Sequence, residues 1–427
     1  MRIAFKTFGC RANSTDTDVL YLEAKRRGFQ IVEETDPADA YVINSCTVTA
    51  NADRDARLQA NRFKRQNPGS LVAVIGCYAQ VAKEELLALP EVDFVVGTAN
   101  KFRILDHFTE AFEKQSWQRD QVEVTSGFLP VEFQGSRHSR ATIKIQDGCN
   151  FNCSFCIIPQ ARGRSRSLSI GEVVHQVQTA YEQGFQEVVL TGIHIAHYGW
   201  DRGTDLMTLV ERLLQGEGPR IRLSTLDPFE IPDSLIALLG SHPRLCPHLH
   251  IAIQSGSDKV LKAMRRIYAA REFTEVTQKI KIANPNTFIG VDVIVGFPGE
   301  GEDEFQETVT CLENSFWTKL HVFPFSLRKG TRAETLSERV PAAIIAQRSR
   351  QLRELSDKRY ASFLTSQVGR LVNVIVEKPS RRQKGYWQGH TENYLPTLSL
   401  VSQVQSKSLV PSKIVRSEGD RILTTAI

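Results

Sequence analysis

The sequence predicts an α/β protein in three parts: a flavodoxin-like amino-terminal domain, an incomplete (β/α)6 barrel, and a small carboxyl-terminal β-barrel of the OB type. Three observations carry this. Apolar strand-like runs alternate with helical stretches from Arg2 to about Val96, the pattern of a parallel sheet with helices on both faces. The alternation resumes with a longer period from Ala141 to about Leu327, which suits a (β/α) barrel. A charged helical stretch then leads into roughly 60 residues of short alternating strands, the pattern of a small closed barrel. At 427 residues the chain exceeds the size at which single cores stop growing, and we divide it into residues 1–115, 136–360 and 362–427.

In the first part, residues 2–8 read as a strand, and Ser14 or Thr15 is positioned to cap a helix that runs to about Arg27 and stops at Gly28. A second strand is expected near Phe29 to Glu33, a third over Ala40 to Asn44 and a fourth over Leu71 to Ile75. Helices are expected over about Val48 to Gln66 and Gln80 to Leu89, and a last strand over Asp93 to Val96. Cys10, Cys46 and Cys77 each fall just after one of these strands. In a parallel sheet those positions share the carboxyl edge, where open α/β sheets bind ligands, so three thiols distant in sequence are expected to converge.

The second part opens on Ile143-Lys-Ile-Gln-Asp-Gly-Cys149-Asn-Phe-Asn-Cys153-Ser-Phe-Cys156, a strand running into three cysteines spaced C-x3-C-x2-C. Three thiolates in one loop are one short of a closed metal site, which leaves a coordination position for chemistry. The alternative is a zinc knuckle with its fourth ligand elsewhere. Barrel strands are expected over Thr142–Gln146, Glu187–Thr191, Ile221–Thr225, Leu249–Gln254, Phe288–Val295 and His321–Phe325. The loops after them carry Gly192, Ser224 and Gln254, small or amide residues that admit close approach of a nucleoside and an amino acid. His194 and His197 read as loop histidines, and Cys246 and Cys311 as small buried hydrophobes.

The third part carries the charge. The whole chain has a net charge of +5, and from Ser362 to Ile427 nine Lys/Arg stand against four Asp/Glu while the remainder balances. A surplus confined to one small module suggests an anion-binding face. Its basic turn holds Lys378, Arg381, Arg382 and Lys384, followed by Trp387; cations beside an aromatic suit a phosphate backbone and its bases. No apolar run reaches the ~18 residues of a membrane span, and dispersed cysteines without an export signal suggest a reducing compartment. The expected location is therefore the cytoplasm, with neither membrane nor DNA as partner.

The C-x3-C-x2-C loop, with Phe155 before its last cysteine, resembles that of the radical S-adenosylmethionine (SAM) enzymes. The contexts Gly9-Cys10-Arg-Ala-Asn13, Asn44-Ser-Cys46-Thr-Val48 and Gly76-Cys77-Tyr-Ala-Gln80 resemble the amino-terminal domain of the methylthiotransferases, and the basic tail resembles their RNA-binding TRAM domain. The resemblance covers nearly the whole chain. It implies two [4Fe-4S] clusters, one on Cys149, Cys153 and Cys156 that binds SAM, and an auxiliary one on Cys10, Cys46 and Cys77. It further implies SAM contacts at Phe155, Gly192, Ser224 and Gln254, a tRNA substrate, and a flavodoxin- or ferredoxin-like electron donor. One SAM would give its methyl group to sulfur at the auxiliary cluster, and a second would yield the radical that abstracts hydrogen. Arg11 after Cys10, and His321-Val-Phe-Pro-Phe-Ser, resemble the branch that modifies threonylcarbamoyladenosine, whose carboxylate Arg11 would recognise; Ala12 departs from its motif. The alternatives are the branch acting on isopentenyladenosine and, in another class, a non-catalytic RNA-binding protein with structural zinc.

Overall fold

The computed structural model describes residues 1–123, 132–381, 383–401 and 404–427. The amino-terminal unit runs β1 (Arg2–Thr7), α1 (Arg11–Arg26), β2 (Gln30–Ile31), β3 (Ala40–Ser45), α2 (Ala50–Gln66), β4 (Leu71–Gly76), α3 (Cys77–Val81), α4 (Lys83–Leu87), β5 (Phe94–Val96), α5 (Ile104–Lys114) and β6 (Asp120–Gln121). Its strands pair in parallel in the order β2-β1-β3-β4-β5-β6. The central strands β3 and β4 are buried along their whole length, as a parallel sheet covered on both faces requires. Two hydrophobic clusters flank it, one including Phe94 and Phe108, the other Tyr41 and Phe63.

Three local expectations change here. The first helix starts at Arg11 with Cys10 at its N-cap and no side-chain cap, rather than at Ser14 or Thr15, because Gly9 at φ +100° turns the chain directly off β1. The helix expected from Gln80 starts at Cys77 and is broken at Ala82, whose φ of −132° is not helical. Finally β6 pairs with β5, so the first sheet continues past residue 115.

The middle unit runs β7 (Ala141–Lys144), β8 (Gln146–Asp147), α6 (Ile158–Arg162), β9 (Arg166–Ser167), α7 (Ile170–Glu182), β10 (Glu187–Thr191), α8 (Leu206–Leu214), β11 (Arg220–Leu223), β12 (Thr225–Leu226), α9 (Asp233–Ser241), β13 (His248–Gln254), α10 (Asp258–Ala263), α11 (Ala270–Ala283), β14 (Phe288–Val295), α12 (Glu302–Glu313) and β15 (Lys319–Pro324). Strands β7, β10 and β11 pair in parallel, as do β12, β13, β14 and β15. Ser224 alone separates β11 from β12, so the two sheets follow one another as a six-unit barrel left unpaired between β7 and β15, matching the expected incomplete (β/α)6 form. Its core is a single large cluster of Val, Ile and Leu with Phe273 and Phe305.

Helix α13 (Ala342–Ser366) crosses the boundary placed at 360–362 and delivers the chain to a closed barrel of β16 (Leu371–Pro379), β17 (Tyr386–His390), β18 (Pro396–Leu400), β19 (Leu409–Glu418) and β20 (Arg421–Ala426), in the order β16-β17-β18-β20-β19. This module is docked rather than tethered. Phe288 of β14 and Tyr360 and Leu364 of α13 belong to its core. Arg222, wholly buried, pairs with Glu187 at 2.7 Å and donates to the Glu392 carbonyl at 3.0 Å, while Arg220 donates to the Asn373 carbonyl at 2.9 Å. Among the described residues no helix is long and apolar enough to cross a membrane.

Candidate active site

The convergence expected of Cys10, Cys46 and Cys77 is built by glycines and asparagines. A Cβ at Gly9 would lie 2.8 Å from the Cys46 sulfur, and one at Gly76, where φ is +92°, would lie 2.7 Å from Asn44 Oδ1. Both loops therefore approach more closely than a side chain permits. Asn13 Nδ2 donates to the carbonyls of Phe8 and Ser45 at 2.9 Å each, tying the Cys10 loop to the Cys46 loop. Asn44 Nδ2 returns the link to the Asn13 carbonyl at 2.8 Å.

The second trio lies on the loop between β8 and α6. Gly148 is held at φ +75°, and a Cβ there would meet the Arg164 carbonyl oxygen at 2.1 Å. Gln146 Nε2 donates to the Gly148 carbonyl at 2.7 Å, while its Oε1 accepts from the amides of Ile193 and His194 at 3.0 and 2.8 Å. One buried amide thus fixes the cysteine loop against the Gly192 loop. Ser154 clamps the loop's far side through its amide and hydroxyl to the carbonyls of Met264 and Ala263. Gly148→Ala is expected to lose the iron of this loop and to destabilise the fold by at least the ~1–3 kcal/mol of left-handed strain, since the carbonyl clash adds to it. Iron content and a thermal melt measure both.

All eight cysteines are free thiols. Burial pushes the thiols of Cys46 and Cys156 up to about 12 and that of Cys149 up to about 11, and it raises Cys77 despite the nearby Arg162. Sulfurs so desolvated become thiolates only when a metal replaces the proton. Each trio also has one sulfur receiving a buried guanidinium: Arg162 Nε donates to Cys77 at 3.2 Å and Arg266 Nη1 to Cys153 at 3.2 Å. Open thiol trios with a cation compensating one sulfur fit iron-sulfur clusters with an open coordination position.

Each trio borders a cavity. The larger, about 700 Å³, is lined by Cys10, Arg11, Gly192, Ser224, His250 and Tyr394 among others; the smaller, about 220 Å³, by Phe155, Cys156, Gln254 and Asp292. Val48 and Ile158 line both. The four expected SAM contacts therefore divide: Phe155 and Gln254 stand with Cys156, Gly192 and Ser224 with Cys10. Gln254 has a left-handed backbone at φ +63° beside a register shift in β13, strain of the sort found at functional sites.

Several residues escaped the sequence reading. Asp16 and Asp147 pair with Lys101, Lys144, Arg162 and Arg166 in a network buried between the two cysteine loops. Burial would raise Asp147, but Arg162 and then Lys144 outweigh it and hold the carboxyl well below its ordinary value. His194 and His197 both approach Glu230, at 2.8 and 3.4 Å, and their rings pack edge-on against Phe151 of the cysteine loop. They hold that loop in place, more than the loop-histidine reading foresaw. Tyr394, His390 and Pro396 of the carboxyl-terminal barrel line the larger cavity, so that module contributes to the site as well as carrying charge. Of the expected RNA contacts, Lys378, Arg381 and Lys384 are exposed, whereas Trp387 is half-buried and packs against the barrel core. Arg382 lies outside the described residues. Cys246 is buried as expected and Cys311 partly so.

The radical SAM superfamily matches residues 143–312 and the uncharacterized protein family UPF0004 residues 2–97. The chain is 40% identical to the threonylcarbamoyladenosine tRNA methylthiotransferase MtaB of Aquifex aeolicus, over 92% of this chain and 96% of that one. It is 32% identical to the tRNA-2-methylthio-N(6)-dimethylallyladenosine synthase of Methylacidiphilum infernorum, over 100% and 94%. Among solved structures it resembles the radical SAM methyltransferase TsrM from Kitasatospora setae, with a TM-score of 0.56 and 13% identity over 78% of this chain and 76% of that one, a likeness of fold.

Proposed function

We propose, from the premise that the chain belongs to the radical SAM tRNA methylthiotransferases, that it adds a methylthio group to threonylcarbamoyladenosine beside the anticodon of tRNA. Family membership sets aside the non-catalytic protein with structural zinc. The cofactors are SAM and two [4Fe-4S] clusters. We assign Cys149, Cys153 and Cys156 to the SAM-binding cluster, in the barrel domain, and Cys10, Cys46 and Cys77 to the auxiliary one, in the amino-terminal sheet domain. When bound, the first supplies the electron that cleaves SAM and the second holds the sulfur to be transferred. The protein's share is positional: Gln146 fixes one loop, Asn13 and Asn44 the other, and the two neighbouring cavities give substrate and cofactor their places beside them. A flavodoxin- or ferredoxin-like donor and a cytoplasmic location complete the reading.

The observation carrying the choice of substrate is Arg11. It lines the larger cavity next to Cys10, donates to the Tyr394 hydroxyl at 3.2 Å, and is in no ion pair among the described residues. A guanidinium without a carboxylate partner suits the carboxylate of a threonylcarbamoyl group; an isopentenyl group would leave it unmatched. Arg11→Gln is expected to lower turnover at limiting tRNA by about 10- to 100-fold, the worth of a charged hydrogen bond, with SAM cleavage nearly unchanged. Equal turnover would leave Arg11 without this role. Mass spectrometry of tRNA nucleosides from a strain lacking the gene tests the substrate itself: 2-methylthio-threonylcarbamoyladenosine is expected to vanish and its precursor to accumulate. Loss of the isopentenyl derivative instead would select the sister reaction.

A further inference from the structure

We infer that Arg162 is the fixed cation that sets the reduction potential of the auxiliary cluster, an inference that rests on the ligand assignment proposed above. Arg162 closes α6, six residues beyond Cys156, yet its side chain crosses to the other trio. It is 1% exposed. Nε donates to the Cys77 sulfur at 3.2 Å, Nη1 to both oxygens of Asp147 at 3.1 and 3.2 Å, and Nη2 to Asn13 Oδ1. All three nitrogens are committed, so the fork has one orientation. Asp147 in turn accepts from the Gly148 amide at 2.9 Å, at the start of the other cysteine loop.

The surroundings of the two trios differ in sign. Around Asp147 and Asp16 the paired cations are Lys101, Lys144, Arg162 and Arg166, a positive surplus in a buried network. At the other trio, among the described residues, Arg266 pairs with Asp227, while Glu230 accepts from the Asp227 amide and faces His194 and His197. A buried positive charge and an N–H donated to a ligand sulfur both favour the more negative, reduced state of a cluster, and burial limits screening. The auxiliary cluster is thereby held at the higher potential of the two, with Arg162 the cation touching its ligand.

The test is an EPR-monitored redox titration of the reconstituted full chain, with the SAM-binding cluster identified as the one whose signal changes on adding SAM. Arg162→Gln is expected to shift the oxidised-to-reduced ratio of the other cluster at least tenfold toward oxidised, about 59 mV for a one-electron couple, leaving the SAM-responsive cluster unmoved. Arg266→Gln is expected to shift the SAM-responsive cluster toward oxidised and to leave the other unmoved. Arg162→Lys, which keeps the charge without the Nε–H, is expected to shift the auxiliary cluster at least threefold and less than Gln, and carries the test if the Gln variant fails to load iron. Unchanged potentials with both clusters loaded would overturn the inference, as would equal shifts of both clusters. Loss of the auxiliary cluster in both variants would overturn it too, making Arg162 a structural residue. A parent protein with about four irons in place of about eight would instead refute the ligand assignment, a separable outcome.

Discussion

Alanine at Cys149, Cys153 and Cys156 together is expected to cut bound iron from about eight atoms per chain to about four and to abolish SAM cleavage. Alanine at Cys10, Cys46 and Cys77 is expected to halve the iron as well, yet to leave SAM cleavage uncoupled from sulfur transfer. The asymmetry follows from where the trios are anchored. The first stands on a loop fixed by Gln146 and Ser154 to elements of the barrel, the second on the carboxyl edge of a separate sheet tied by Asn13 and Asn44. Neither set of hydrogen bonds passes through a cysteine side chain, so each scaffold survives loss of the other's sulfurs. One link between them is Arg162, whose contact with Cys77 disappears in the second triple variant while its bonds to Asp147 remain. Iron analysis and 5′-deoxyadenosine release measure the two arms; full iron in either variant would mean that its trio is not a ligand set.

The gathering of the cysteines was legible because three of them follow strand ends and three share one short loop, and that placement survives without knowledge of side-chain contacts. Barrel strands were legible for a similar reason: Glu187–Thr191 and Phe288–Val295 are continuous apolar-rich runs, and each is a strand over the same residues. Cap positions were harder. Ser14 and Thr15 have the right chemistry for an N-cap, but the left-handed turn at Gly9 starts the helix four residues earlier, a backbone event that outweighs cap preference. The network of Asp16, Lys101, Lys144, Asp147 and Arg162 left no local signal. Its members are up to 146 residues apart, and each alone reads as an ordinary solvated charge. They are buried together where α1 of the first sheet meets β7, β8 and α6 of the barrel. Tyr394 was missed for the same reason, since its place in the cavity depends on how the last barrel docks on Arg222 and Glu187.

That docking changes how the basic surface is best tested. Deleting residues 362–427 would strip the larger cavity of Tyr394, His390 and Pro396 and remove the contacts that Arg222 and Phe288 make to that module, so lost activity would not isolate RNA affinity. Trp387→Ala has the same defect, because the ring packs on the barrel core. Lys378, Arg381 and Lys384 avoid it: all three are exposed, and none is in an ion pair among the described residues. Replacing them together with glutamine is expected to leave the fold, the iron and SAM cleavage intact. If each neutralises one phosphate, the slope of log affinity against log salt flattens by about 0.7–0.9 per residue, and tRNA affinity near physiological salt falls roughly a hundredfold. Titrating tRNA at two salt concentrations separates this from a change in the cavity, since losing Arg11 alone would remove a specific contact with little effect on slope. A triple variant with the parent's affinity and slope would mean that tRNA is held by the amino-terminal sheet and the central barrel, and that the positive surplus of the last module faces no phosphate.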